Sequence, residues 1–133
     1  MKKWIVIPIA AGVAGLSAVS VSAVYGSVGH TDGAEIMLGE SVSYSQDDLQ
    51  AAAETVLAKF RSDFKGCRLD TLYYSDTRNA KEPESAKYLT MTSDFYAHWL
   101  ITGAGMPSGQ HIGWKWKLEK NNEGEWIVHS CGY

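Results

Sequence analysis

No stretch of this chain clusters lysine and arginine, and that shortage bounds its partners before any motif is read. Twelve basic residues face 15 acidic ones across 133 positions. They are scattered along the chain, so neither a phosphate backbone nor an anionic membrane meets a matching surface, and nucleic acid is excluded as a partner. Cysteine is equally scarce: Cys67 and Cys131 are the only two, with no Cys-x-x-Cys pair and no Cys/His spacing of a zinc site. His98, His111 and His129 are spaced like no metal motif, so no metal and no cofactor is expected. A Ser/His/Asp nucleophile arrangement is missing, and Gly103-Ala104-Gly105 lacks the strand-to-helix setting of a phosphate cradle. There is no internal repeat.

Charge is also missing from Trp4 to Tyr25, and this gap says where the protein works. Lys2 and Lys3 precede an apolar run that ends in small residues, the three-part layout of a secretory signal. Val21-Ser22-Ala23 places a small residue at the last position, so cleavage after Ala23 is expected. The lysines favour a cytoplasmic N-terminus, which sends everything downstream across the membrane. Uncleaved, residues 4–25 are long enough to span a bilayer, although Pro8, Gly12 and Gly15 suit a permanent anchor poorly. Residues 1–23 are therefore read as a signal peptide or membrane anchor, and the protein as secreted or extracytoplasmic. Losing residues 1–23 removes two lysines and no acid, leaving ten basic against fifteen acidic residues, a net charge of −5.

Residues 24–42 are rich in Gly, Ser and acids, with a brief Ile36-Met37-Leu38 cluster, and read as a flexible linker. The domain is expected over 43–133, one unit by length. Ser45 is an N-cap with Asp48 completing a capping-box-like pair, and Leu49, Ala52, Ala53, Val56, Phe60 and Phe64 form one apolar stripe. Gly66 ends the helix, which the spacing places at about Gln46 to Lys65. The period then changes to 2. Residues 67–75 and 87–95 read as strands, with 76–86 as a polar loop between them. Tyr96 to Ile101 are left undecided between strand and helical turn, and 102–110 read as a loop. Ile112, Trp114, Trp116 and Leu118 alternate with polar residues, Asn121 to Gly124 turn the chain, and a strand returns to Cys131.

The expected fold is therefore α+β: one long N-terminal helix packed on a curved, four-stranded antiparallel sheet. Phe64-Lys65-Gly66-Cys67-Arg68-Leu69, Ser93-Asp94-Phe95, Trp114-Lys115-Trp116-Lys117-Leu118 and the terminal Gly132-Tyr133 also resemble a group of small exported domains of Gram-positive bacteria without assigned function. That group is similar to the nuclear-transport-factor-2-like and cystatin-like cone folds. The resemblance implies a sheet wrapped around the helix. It carries over no catalytic residue.

Cone folds of this kind host isomerases and dehydratases with an Asp or His base, often beside a Tyr. Residues of that type here are Asp70, Tyr73, Asp94, His98, His111 and His129, of which Asp94 and His98 are the catalytic candidates. Asp94 lies beside Phe95 and Tyr96, where partial desolvation would tune a carboxylate; the alternative role is capping local amides. His111 and His129 are candidates to face each other across the terminal hairpin. Tyr96 and Trp99, beside the glycine-rich loop, are the expected ligand-binding contacts, while Trp114 and Trp116 are expected to cover the helix.

The two cysteines have two outcomes. A disulfide would close a loop of about 65 residues, worth roughly 4 kcal/mol. A flat meander sets the two Cα atoms ~14 Å apart, beyond the ~7 Å limit, whereas strong curvature or another strand order permits the bond. The function expected is a non-catalytic binding or accessory domain of the cell envelope or exterior. Its partner is an unknown ligand or envelope protein, and it touches membrane only through an uncleaved N-terminus. The alternatives are a small cone-fold isomerase or dehydratase using Asp94 or a histidine, and a structural envelope protein.

Overall fold

The computed structural model describes residues 4–6, 27–98 and 107–133. Among these residues six strands and two helices follow one another as β1 (Trp4–Val6), β2 (Glu35–Gly39), α1 (Gln46–Asp63), β3 (Cys67–Tyr74), α2 (Asp76–Ala80), β4 (Leu89–Ala97), β5 (Gly109–Lys120) and β6 (Trp126–Gly132). The strands lie side by side in sequence order. β2 runs parallel to β3, and every other neighbouring pair is antiparallel. Apart from its three residues in β1, the segment expected to be a signal lies outside the described residues. No helix among the described residues is long and apolar enough to cross a membrane.

This mixed sheet overturns the expectation of four antiparallel strands. Five strands, β2 to β6, build the domain's sheet, and β1 adds three residues to its outer edge. The additional strand comes from the segment expected to be a linker. Ala34, Ile36 and Leu38 alternate with Glu35 and Met37 and are buried, so the short cluster has the period of a half-covered strand. Because β2 precedes the helix and β3 follows it, α1 is the crossover that parallel neighbours require. Upstream of β2 the backbone is tied in as well. His30 N donates to Cys67 O and Leu69 N donates to His30 O, both at 2.8 Å, extending the parallel ladder.

α1 starts where its cap dictates. Ser45 Oγ accepts the Asp48 amide at 3.1 Å, and Asp47 and Asp48 sit in the positive first turn. Leu49, Ala52, Ala53, Val56, Leu57 and Phe60 are buried against the sheet. The helix ends at Asp63, two residues short of the expected end. Beneath its C-terminal half lies an aromatic cluster: Phe60 stacks on Phe64 at 5.0 Å, and Phe64 meets Phe95 at 5.4 Å and Trp116 at 5.1 Å. Trp116 is fully buried, and its indole N–H donates to Ser93 Oγ at 2.8 Å, which satisfies the one polar atom it brings inside. Trp114 packs at the border of the same core.

The stretch 76–86, expected to be a loop, opens with α2. Ser75 caps it by accepting the Arg78 amide at 3.2 Å. Asn79 Oδ1 accepts the Thr90 amide at 2.8 Å, which pins α2 onto β4. Asp76 ties three segments together: it accepts the Tyr74 hydroxyl at 2.8 Å, the Ser41 hydroxyl at 2.7 Å and the Val42 amide at 2.8 Å.

Burial, and then the Asp76 carboxylate, hold the Tyr74 phenol well above its ordinary value of 10.0. An acid whose folded pKa is raised stabilises the fold fully below its unfolded pKa, and that contribution fades as pH climbs above it. Tyr74→Phe is therefore expected to cost about 1.5 kcal/mol at pH 8, the worth of a hydrogen bond to a charged group. The gap to wild type should narrow when urea melts are repeated at pH 11. An unchanged gap would mean that the phenol does not report on this site.

The Cys67–Cys131 bond is not formed. Cys67 is buried at the head of β3, Cys131 is exposed on β6, and no disulfide joins them. β4 and β5 lie between them, so the sheet keeps the two residues on separate strands three positions apart.

Candidate functional site

One face of the sheet packs on α1; the other stays open over part of its area. The side chains that line this face are Met37 from β2, Thr71 and Tyr73 from β3, the buried Thr92 and half-buried Asp94 from β4, and Lys115 from β5. With α2 and the turn after it as a wall, they enclose a groove of about 960 Å³. A smaller hollow of about 390 Å³ adjoins it along β5 and β6, sharing Glu82 and Lys115.

The groove's charged groups are held in a definite arrangement. Arg78 lies over the Tyr73 ring at 4.9 Å and donates to its hydroxyl at 3.3 Å. Burial raises the Tyr73 phenol above its ordinary range against the lowering pull of Arg78, so Tyr73 offers a neutral hydroxyl rather than a base. Lys115 pairs with Glu82 at 2.8 Å, joining the floor to the wall. Lys81 also lines the wall and has no carboxylate at ion-pair distance among the described residues.

Asp94 is in the groove, but its carboxylate has a structural partner. β5 carries an extra residue opposite Ser93 and Asp94, with Gly113 at φ 78° in the left-handed region that glycine tolerates. Asp94 Oδ1 accepts the Gly113 amide at 3.0 Å, satisfying the donor that the bulge frees from the ladder. The other candidates lie elsewhere. His98 stands just past the end of β4, with its ring edge-on to Tyr96 at 4.8 Å and its amide donating to Gly66 O at 3.5 Å. Tyr96 is on the open face, half-buried beneath Arg68, whose guanidinium lies 5.4 Å from the ring centroid. Arg68 in turn pairs with Asp70 at 2.9 Å, and Gln110 donates to the same carboxylate at 3.1 Å. Trp99 and most of the glycine-rich loop lie outside the described residues.

The remaining histidines have separate neighbours. His111 is buried and stacks on Phe95 at 4.8 Å. Its Nε2 hydrogen bonds to Pro107 O at 2.7 Å and must donate. Its Nδ1 lies at hydrogen-bond distance, 2.5 Å, from the Tyr133 hydroxyl. His129 lies on β6 between Glu119 at 3.3 Å and the Tyr88 ring at 4.7 Å. His111 pairs with β4 while His129 lies beside the bulge at Lys117 and Leu118, so the two do not face each other as expected. Among the described residues no three His, Cys, Asp or Glu side chains gather as metal ligands.

The sequence singled out Tyr73 and Asp94 but not their companions Thr71, Arg78, Lys81, Thr92 and Lys115. Lys115 belongs to the polar half of the β5 alternation, which reads as plain solvated surface until α2 is placed beside it. No protein-family model, curated protein or solved structure matches this chain, so the site is read from its own geometry.

Proposed function

We propose that this chain is an exported, non-catalytic binding domain whose ligand seats in the open-face groove. The observation that carries the reading is the groove itself. Its floor is side chains fixed at ladder positions of four adjacent strands, and its wall is pinned by the Asn79 to Thr90 and Glu82 to Lys115 contacts. Such preorganisation lowers the ordering cost of binding. The uncharged run after Lys3 supports export. Cleavage after Ala23 would remove β1, which rests on three residue pairs at the outer edge of β2, and leave the five-stranded sheet. A base-catalysed alternative would use Asp94 beside Tyr73, but one oxygen of that carboxylate already serves the Gly113 amide. The binding reading asks less of these residues.

A test is to fill the groove from its floor. Thr71 is half-buried on the open face, and Thr71→Trp adds a large side chain there while leaving the α1-facing core untouched. The wild-type protein isolated from the extracytoplasmic fraction is expected to co-sediment with envelope material from its own host. The Trp variant should lose that binding by at least about tenfold at an unchanged melting temperature. Equal sedimentation of the two, or recovery of the protein only from the cytoplasm, would overturn the proposal.

A further inference from the structure

The groove has an electrostatic character at odds with the rest of the domain. The part expected to be exported carries ten basic and fifteen acidic residues, yet Arg78, Lys81 and Lys115 line the groove against Glu82 and Asp94. Both of those acids are already engaged, Glu82 by Lys115 at 2.8 Å and Asp94 by the Gly113 amide at 3.0 Å. Arg78 is held by a ring and a neutral hydroxyl. Asp94 keeps its charge, since an amide is neutral, but three cations line the groove against two anions, and Arg78 and Lys81 on the wall have no carboxylate at ion-pair distance among the described residues. Arg78 and Lys81, three positions apart across the end of α2, sit on adjacent turns.

We infer that the groove takes a ligand bearing a phosphate or carboxylate group, with the anion between Arg78 and Lys81 and the remainder on the hydroxyl-bearing floor. The inference deepens the binding reading above and rests on it. A guanidinium presents five donors in a planar fork matched to such oxyanions. The bond to Tyr73 uses Nη1, and Arg78 is exposed, so the opposite edge of the fork is available to a ligand. The ring beneath Arg78 fixes the plane of that fork, so less rotamer freedom is lost on binding. Concave walls concentrate the field of the two cations over the floor. There Thr71, Thr92 and Tyr73 offer hydroxyls suited to a polar ligand body, and Met37 supplies the one apolar side chain among these floor residues.

The test titrates isotope-labelled exported protein with three small probes, followed by amide shifts. Glycerol 3-phosphate supplies a phosphate, glucuronate supplies a carboxylate, and glucose is the neutral control. Saturable shifts at Thr71, Thr92 and Gly113 are expected with at least one of the two anions, and the stronger of them names the source. Glucose should shift them little, and raising salt from 50 to 200 mM should weaken the response, roughly in the manner of a charge-steered complex. Lys81→Gln, which breaks no ion pair or side-chain hydrogen bond among the described residues, should weaken the anion by about threefold or more, and adding Arg78→Gln should weaken it further. Three results would overturn the inference: equal shifts with glucose, unchanged affinity in Lys81→Gln and the double variant, or silence with both anions while Thr71→Trp still abolishes envelope binding. In the last case the binding reading survives and only the anionic ligand is lost. If Thr71→Trp leaves envelope binding intact, the reading beneath it has failed as well.

Discussion

A chain that begins at Ser43 should not fold cooperatively, whereas one that begins at Val24 should. The shorter chain retains α1, the antiparallel strands β3 to β6 and the whole aromatic cluster. What it lacks is β2 and the residues that lead into it. Ile36 and Leu38 are fully buried, and Ala34 nearly so. Burial of each large aliphatic side chain is worth roughly 1.5–3 kcal/mol. Their loss also bares the α1 surface and the β3 edge they cover. Two parallel-ladder bonds of His30 and the bond from Gly29 N to Arg61 O go with them. Against a typical net stability of about 5–15 kcal/mol, losing these contacts together consumes most of the margin. Circular-dichroism melts of the two chains decide the matter. A sigmoidal transition from the Val24 chain and a broad or absent one from the Ser43 chain are expected. Coincident melts would mean that residues 27–42 are a tether after all. Leu38→Ala gives the graded version, with an expected cost of about 2–5 kcal/mol.

The same segment shows how far a sequence can be read here. α1 was legible because its information is local: Ser45 precedes two aspartates, and a stripe at helical spacing follows. β5 was legible because Trp114, Trp116 and Leu118 alternate with charged residues, but Ile112, expected on the same face, is exposed because the extra residue at Gly113 shifts the register. β2 offers only five residues, bounded by glycines and acids, and its partner β3 lies beyond an entire helix. A parallel ladder at that separation leaves no short-range signal, so Ile36, Met37 and Leu38 looked like a minor cluster in a spacer. α2 had its local sign in Ser75-Asp76, but five residues of helix inside a polar stretch read as loop. The groove followed from neither. Tyr73 and Asp94 were visible as residue types, but the amide that Asp94 accepts is that of Gly113, 19 residues away on the neighbouring strand, rather than a local one. Yet Arg78, Lys81 and Lys115 become neighbours only once α2 folds over the open face. The cysteines were decided by strand order in the same way, with β4 and β5 separating them.

Gly29→Ala should destabilise the domain by about 3 kcal/mol or more, the upper end of what an overpacked site costs. Its position within a Gly- and Ser-rich stretch suggests a residue chosen for flexibility. The structure places it against the C-terminal turns of α1, where it is buried, and its amide donates to Arg61 O at 2.8 Å. A Cβ built on Gly29 would meet Phe60 O at 2.1 Å and Phe60 C at 2.9 Å. These are backbone atoms of a helix whose side chains anchor the aromatic cluster, so no rotamer change can make room. Either the helix end lifts from the sheet or the 28–31 segment leaves its ladder with Cys67 and Leu69. The first route separates Phe60 from Phe95, now 5.6 Å apart between ring centroids, and the second gives up the two backbone bonds of His30. Gly33→Ala provides the contrast. Its Cβ would meet nothing within 4 Å, but its φ of 74° makes the substitution a matter of backbone strain alone, with an expected cost of about 1–2 kcal/mol. Urea denaturation of the two variants separates close packing from conformational freedom. A Gly29→Ala cost no larger than that of Gly33→Ala would show that the approach of residue 29 to the helix is dispensable.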